Sequence, residues 1–189
     1  MGKKPLTKNQ IEKLRIIVKG NPLHELLLNL GIDLMLRSSD LLALRVSDVI
    51  HTSGKLKDAV SVKQKKTGKT TLAIPLLENS KRVIEKYLKN KSQDDFIFTG
   101  SKSIYTQKSI TSQQYARIVK CWMKSIGIEN IDEYSTHSLR KSKASAIYEE
   151  THDVDAVRRL LGQSSITATS AYLGVSDNSA LELAKSINL

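Results

Sequence analysis

The chain has 189 residues, 40% of them apolar and 26% charged, enough for one domain with its own core and ordinary for a globular protein. Lysine and arginine number 30 against 19 acids, a net charge of +11, which favours a polyanionic partner and nucleic acid above all. The single cysteine, Cys121, excludes an intramolecular disulfide and a cysteine-ligated zinc site, and His24, His51, His137 and His152 lack metal-ligand spacing. No apolar run approaches the ~20 residues of a membrane span, and the start Met1-Gly2-Lys3-Lys4 has no hydrophobic signal region, so no membrane partner and a cytoplasmic location are expected.

In chain order, Thr7-Lys8-Asn9-Gln10 is a capping box, and Ile11, Leu14, Ile17 and Val18 follow at helical spacing until Gly20. Asn21-Pro22 opens a second helix with the cap first and proline at the first helical position; Leu23, Leu26, Leu27, Leu30 and Leu34 form its buried stripe. Arg37 lies at the end of that apolar helix, before a short one that Ser38 or Ser39 could cap. Such an arginine either reaches solvent or is held over a site, and in the second case Asp40, three residues on, could orient it.

Residues 56–75 read as a hairpin. Val60 and Val62 alternate, Thr67-Gly68 makes the turn, and Thr71-Leu72-Ala73-Ile74 returns. Lys63, Lys65, Lys66 and Lys69 crowd the turn, which suits either a solvated edge or a basic finger in a DNA groove. Asn79 or Ser80 should cap a helix to about Lys89, with Val83, Ile84, Tyr87 and Leu88 inward. Phe96-Ile97-Phe98 is a short buried run, and residues 99–108 are loop-like. Thr111-Ser112-Gln113-Gln114 is a second capping box, opening a helix through Ser125 with Ile118, Val119 and Trp122 inward and Gly127 as its stop. A helix beginning near His137 carries Arg140, Lys141 and Lys143. Asp153 caps Val154 to Leu161, ended by Gly162; a short helix carries Thr169 to Leu173, and Asp177 caps a last one from Leu181 to Ile187.

Within the last third stand Thr136-His137-Ser138-Leu139-Arg140, then Leu161-Gly162-Gln163-Ser164-Ser165, then Ala171-Tyr172-Leu173. In that order and spacing they resemble the carboxy-terminal boxes of the tyrosine recombinase (phage integrase) family. Arg37, followed by Asp40 and Leu41-Leu42-Ala43-Leu44, resembles the family's first arginine box, which usually runs into the first strand, here after Val46-Ser47-Asp48-Val49. Gln64-Lys65-Lys66-Thr67-Gly68-Lys69 before Ala73-Ile74-Pro75 looks like the family's hairpin, whose catalytic lysine just precedes the turn. That match assigns Lys66, with Lys65 as the alternative after a one-residue slip in register.

The resemblance implies an α+β, mainly α fold, a helical bundle with a small antiparallel hairpin, as a single catalytic domain over residues 1–189. It implies catalytic roles for Arg37, Lys66, His137, Arg140, Gln163 and the nucleophile Tyr172, and DNA contacts for Lys63, Lys65, Lys69, Lys141 and Lys143. Site-specific cleavage and rejoining of double-stranded DNA through a 3′-phosphotyrosine is then expected, without metal, ATP or other cofactor. Partners would be DNA, further copies of the chain in a tetrameric synapse (a monomer when free) and accessory DNA-bending proteins, in the setting of a mobile element. Gln163 departs from the family's usual His or Trp: an amide can donate a hydrogen bond but cannot hold charge or relay a proton, which predicts a slower enzyme. Lys141 likewise stands where His is frequent. Relatives usually carry an amino-terminal core-binding domain; only a short stretch precedes Leu26 here, which predicts weak, salt-sensitive DNA binding. A DNA-binding relative without activity and a type IB topoisomerase-like relaxing enzyme are the alternatives.

Overall fold

The computed structural model describes residues 3–100 and 108–175, together with 181 and 185. The expected closing helix capped by Asp177, and most of the expected 99–108 loop, lie outside the described residues.

Helix α1 spans Lys8–Val18 and α2 spans Pro22–Asp33, opened by the expected Thr7/Gln10 box and the Asn21 cap. Short helices α3 (Ser38–Leu41) and α4 (Val46–Val49) follow. Strands β1 (Ala59–Val60) and β2 (Ile74–Pro75) pair antiparallel, Ala59 opposite Pro75 and Val60 opposite Ile74. Then come α5 (Glu78–Leu88), α6 (Ser112–Ser125), α7 (Thr136–Thr151), α8 (Val154–Leu161) and α9 (Ile166–Leu173), with a 3-10 turn at Ile131–Glu133. The fold is α+β and mainly α, as expected. Among the described residues no helix is long and apolar enough to cross a membrane.

Helix α2 is the axis. It packs on α5, α7 and α1, so Glu25 to Asp33 is buried throughout and not along one stripe only. Close approach is possible because position 31 is glycine: a Cβ there would lie 2.6 Å from Tyr115 Oη on α6 and 3.3 Å from Leu139 on α7. Burying α2 on all sides also buries its polar groups, and each is matched. Glu25 accepts from Gly20 N at 2.7 Å and Tyr87 Oη at 2.6 Å, and Asp33 accepts from Ser80 Oγ at 2.5 Å. Tyr115 Oη donates to Leu27 O at 3.3 Å.

Three local expectations are corrected. Val46–Val49 is a helical turn, not the approach to a strand, because the Asp48 carboxylate accepts from Arg45 N at 2.8 Å and closes the turn. Neither Ser38 nor Ser39 caps α3; Arg37 itself occupies the N-cap position, without a side-chain cap. Asn79 and Ser80 lie inside α5, with Ser80 turned to Asp33. After α2 the chain turns through the buried Met35, whose φ of +49° is a left-handed conformation uncommon for any residue but glycine. That turn delivers Arg37 to the surface end of the core.

Candidate active site

Arg37 emerges with its side chain 22% exposed. Its near partner is not the acid that the spacing suggests. Nη1 donates to Gln64 Oε1 at 2.8 Å, whereas Asp40 Oδ2 stands 4.0 Å away. Asp40, buried, accepts from Lys65 N at 2.9 Å through Oδ1 and so fastens the hairpin to α3. The hairpin extends beyond β1 and β2 through a Lys63–Thr70 bridge, with Gln64 N donating to Lys69 O at 2.9 Å and Gly68 N to Gln64 O at 2.8 Å. Lys63, Lys65, Lys66 and Lys69 are exposed on it.

Arg140 comes from α7 and is buried, 3% exposed. Its Nη2 donates to the carbonyl of Leu161, the last residue of α8, at 2.9 Å. That carbonyl is available because α8 stops at Gly162, in the left-handed region with φ +60°. Nη1 of Arg140 is buried and has no hydrogen-bond partner. Burial draws this guanidinium down to about 10; Tyr172 and Asp40 oppose the shift and Arg37 adds to it, so the group stays charged at neutral pH.

Tyr172, on α9, turns its hydroxyl towards the same guanidinium. The two feel each other's charge, yet Tyr172 Oη is buried without an aligned hydrogen bond. Burial pushes the phenol above its ordinary value, and the attraction of Arg140 and Arg37 only partly offsets this. Lys141 Nζ lies 5.6 Å from the centre of the tyrosine ring, within cation–π range, and burial lowers its pKa. His137, in the first turn of α7, keeps part of its surface in solvent, but the buried part of its ring and the positive charges of Arg140 and Arg37 hold it below the usual imidazole range. It is therefore neutral at pH 7 and able to accept a proton.

Arg37, Arg140, His137 and Tyr172 thus share one electrostatic neighbourhood, although they come from three separate stretches of the sequence. Gln163 follows directly on Gly162; its Oε1 accepts from the buried Thr169 Oγ1 at 2.6 Å, which leaves the amide nitrogen as its free end. Lys65 and Lys66 are both exposed, beside the fastened Gln64, so exposure does not distinguish them. Lys143 is half-buried: its ammonium donates to Asp33 O at 3.1 Å and lies 3.9 Å from Asp33 Oδ1. Gln64 and Thr169 had drawn no role of their own. The signal for Gln64 was its place in the Val60-Val62-Gln64 alternation, which puts a polar side chain on the buried face. For Thr169 there was none. Among the described residues no group of three or more His, Cys, Asp or Glu is placed to hold a metal ion.

The profile of the phage integrase family matches residues 4–179. Over 148 residues the chain is 34% identical to the probable integrase/recombinase YoeC of Bacillus subtilis (strain 168), covering 78% of this chain and 75% of that protein. It is 28% identical over 188 residues to the tyrosine recombinase XerA of Pyrococcus furiosus, covering 98% of this chain but 62% of the relative. Among solved structures, the XerH site-specific recombinase bound to palindromic difH substrate in a post-cleavage complex superposes with a TM-score of 0.74 at 20% identity, over 99% of this chain and 54% of that one. The chain therefore spans between about half and three quarters of the proteins that it matches.

Proposed function

The chain belongs to the phage integrase family, and from that premise we propose that it is a site-specific DNA recombinase that breaks and rejoins strands through Tyr172. The observation that carries this reading is the approach of the Tyr172 hydroxyl to the Arg140 guanidinium, beside Arg37, with Arg140 Nη1 and Tyr172 Oη both buried and without a well-aligned hydrogen bond. A buried donor on a guanidinium and a buried nucleophile, each unsatisfied, suit an anionic group that is bound between them in the working complex.

The chemistry follows from the groups. Arg37 and Arg140 bind the non-bridging oxygens of a phosphodiester and stabilise the charge that grows on them as phosphorus becomes pentavalent. Tyr172 Oη attacks phosphorus, and its proton passes to neutral His137. The bond to the 5′ oxygen breaks, and that oxygen takes a proton from Lys66 on the hairpin. The products are a 3′-phosphotyrosine and a 5′-hydroxyl. Attack by a 5′-hydroxyl on the phosphotyrosine runs the same steps backwards, so the joint reseals with no ATP. Gln163, its oxygen held by Thr169, offers its amide N–H to the phosphate.

The partner is double-stranded DNA, which the net charge of +11 favours. Support also comes from XerH, solved on its difH substrate. Lys63, Lys65, Lys69 and Lys141 are proposed to contact the backbone, with residues 1–189 as a single catalytic domain. Further copies of the chain complete a tetrameric synapse, with accessory DNA-bending proteins, in the cytoplasm. The test is a nicked half-site, labelled at the 5′ end, whose cleaved strand cannot be religated. The chain should become covalently attached to it, and Tyr172→Phe should not. Gln163 favours one other reading, a DNA-binding relative without cleavage; it predicts a shifted DNA band and no adduct from the parent chain.

A further inference from the structure

We propose that Gln64 is a positioning residue that ties Arg37 to Arg140, so that docking of the hairpin and alignment of the two guanidiniums are a single event. This rests on the reading of Arg37 and Arg140 as the phosphate-binding pair. Gln64 is 2% exposed. Its Oε1 accepts from Arg37 Nη1 at 2.8 Å and from Thr67 Oγ1 at 2.8 Å, and its Nε2 donates to Leu161 O at 3.2 Å. The same carbonyl accepts from Arg140 Nη2 at 2.9 Å. A carbonyl oxygen has two lone pairs, and here one serves each side of the site. An unbroken path therefore runs from Arg37 through the carboxamide and the Leu161 carbonyl to Arg140.

Only a carboxamide of this length meets both demands. A glutamate could accept from Arg37 but has no proton for Leu161 O, and would set a carboxylate against a carbonyl. An asparagine is one methylene short. A methionine fills the space and bonds to neither. The neighbour is fitted to the same end: a Cβ at Gly162 would lie 2.6 Å from Gln64 Nε2 and 3.2 Å from Gln64 Cδ. Glycine at 162 thus serves twice, for the left-handed turn that ends α8 and for the approach of the carboxamide. A second tie, Lys65 N to Asp40 Oδ1 at 2.9 Å, holds the next hairpin residue to α3. The hairpin that carries Lys66 cannot leave without releasing Arg37, which couples delivery of the proton donor to assembly of the anion site.

The test compares the full chain with Gln64→Met by two measurements. On the nicked half-site at saturating DNA, the rate of adduct formation should fall by roughly tenfold to a hundredfold while DNA affinity changes little, because the lost group orients Arg37 without touching phosphate. Without DNA, the guanidinium NMR signals of Arg37 should show slowed rotation in the parent that is lost in Gln64→Met, while those of Arg140 persist. Unchanged Arg37 signals would overturn the proposal, as would a full cleavage rate with the signals collapsed. A parent that forms no adduct but whose Arg37 signals collapse in Gln64→Met defeats the functional reading and leaves the tie standing. Should Gln64→Met fail to fold, Gln64→Glu takes its place. Its carboxylate cancels charge that Arg37 offers to phosphate, so weaker DNA binding and slower cleavage are expected, and parental values for both would overturn the proposal.

Discussion

Two parts of the molecule bury polar groups, and they do so differently. Around α2 the buried side chains are hydrogen-bonded: Glu25 with Tyr87 and Gly20, Asp33 with Ser80, Tyr115 with the Leu27 carbonyl. Where α3, α7 and α9 meet the hairpin, Asp40 Oδ2, Arg140 Nη1 and Tyr172 Oη are buried and unmatched; among the described residues only Ser145 Oγ shares that condition elsewhere. A buried donor or acceptor without a partner costs about 1–3 kcal/mol, so a cluster of them is a standing loss of stability. The α2 core shows that this chain can satisfy what it buries. On the reading proposed above, an anionic ligand would accept the bonds that Arg140 Nη1 and Tyr172 Oη lack.

The sharpest way to break that comparison is to remove one hydroxyl from each part. Tyr172→Phe should abolish the covalent adduct, yet keep or slightly raise the thermal midpoint, because the lost hydroxyl had no partner. Tyr115→Phe should leave adduct formation near the parental rate and lower stability by about 1 kcal/mol, the worth of its bond to Leu27 O. Denaturant melts and adduct gels on both variants decide it. If Tyr172→Phe destabilises as Tyr115→Phe does, the site is an ordinary piece of core.

Next in size is Gln163→His. The carboxamide offers one hydrogen bond and no charge, so histidine should speed cleavage by between roughly tenfold and a thousandfold in a single-turnover assay. Thr169, whose hydroxyl holds Gln163 Oε1 at 2.6 Å, is the control: Thr169→Val should slow the parent but leave Gln163→His nearly unaffected. No acceleration in Gln163→His means that the amide does not limit the reaction.

A third comparison uses lysines from the two parts. Lys63 and Lys69 are exposed on the hairpin, whereas Lys143 is held against Asp33. Replacing Lys63 or Lys69 with glutamine should lower the slope of log affinity against log salt by about 0.9 each. Lys143→Gln should leave the slope unchanged and cost stability instead, since it leaves the Asp33 carboxylate buried without its cation. A slope that falls in Lys143→Gln returns that lysine to the DNA-binding set.

How much of this was legible beforehand depended on range. The caps are local, and Thr7/Gln10, Asn21-Pro22, Thr111/Gln114, Asp153 and Gly162 lie where the sequence puts them. The family resemblance led from Val46–Val49 towards a strand, and a bond from the Arg45 backbone N–H to the Asp48 carboxylate made the segment a turn instead. Ser80 was misread because Asp33, which claims its hydroxyl and also meets Lys143, is distant in sequence and gives no periodic signal. Gln64 shows the limit most clearly. Alternation with Val60 and Val62 fixes which way it points, but that the Leu161 carbonyl waits there is a tertiary fact.

The smallest effect expected is on pH, and it too divides the two parts. His24 packs beside Trp122, whose Nε1 donates to His24 Nδ1 at 3.3 Å, and burial holds its pKa below the ordinary 6.5. His137 is lowered as well, by burial first and then by Arg140 and Arg37. For both, the unfolded chain takes up a proton at a higher pH than the folded one. Their contribution to stability is therefore complete above about 6.5 and is lost as pH falls through the lowered folded value. Melts should show a modest loss of stability on the acid side of 6.5, reduced in His24→Phe, which cannot take up that proton. Cleavage should separate the pair. Protonating His137 removes the acceptor for the Tyr172 proton, so the acid limb of the rate should lie below 6.5 and vanish in His137→Gln, at a much lower plateau. His24→Phe should keep that limb unchanged, since its imidazole faces Trp122 and not the anion site; an acid limb that moves with His24 would instead trace the loss of rate to unfolding.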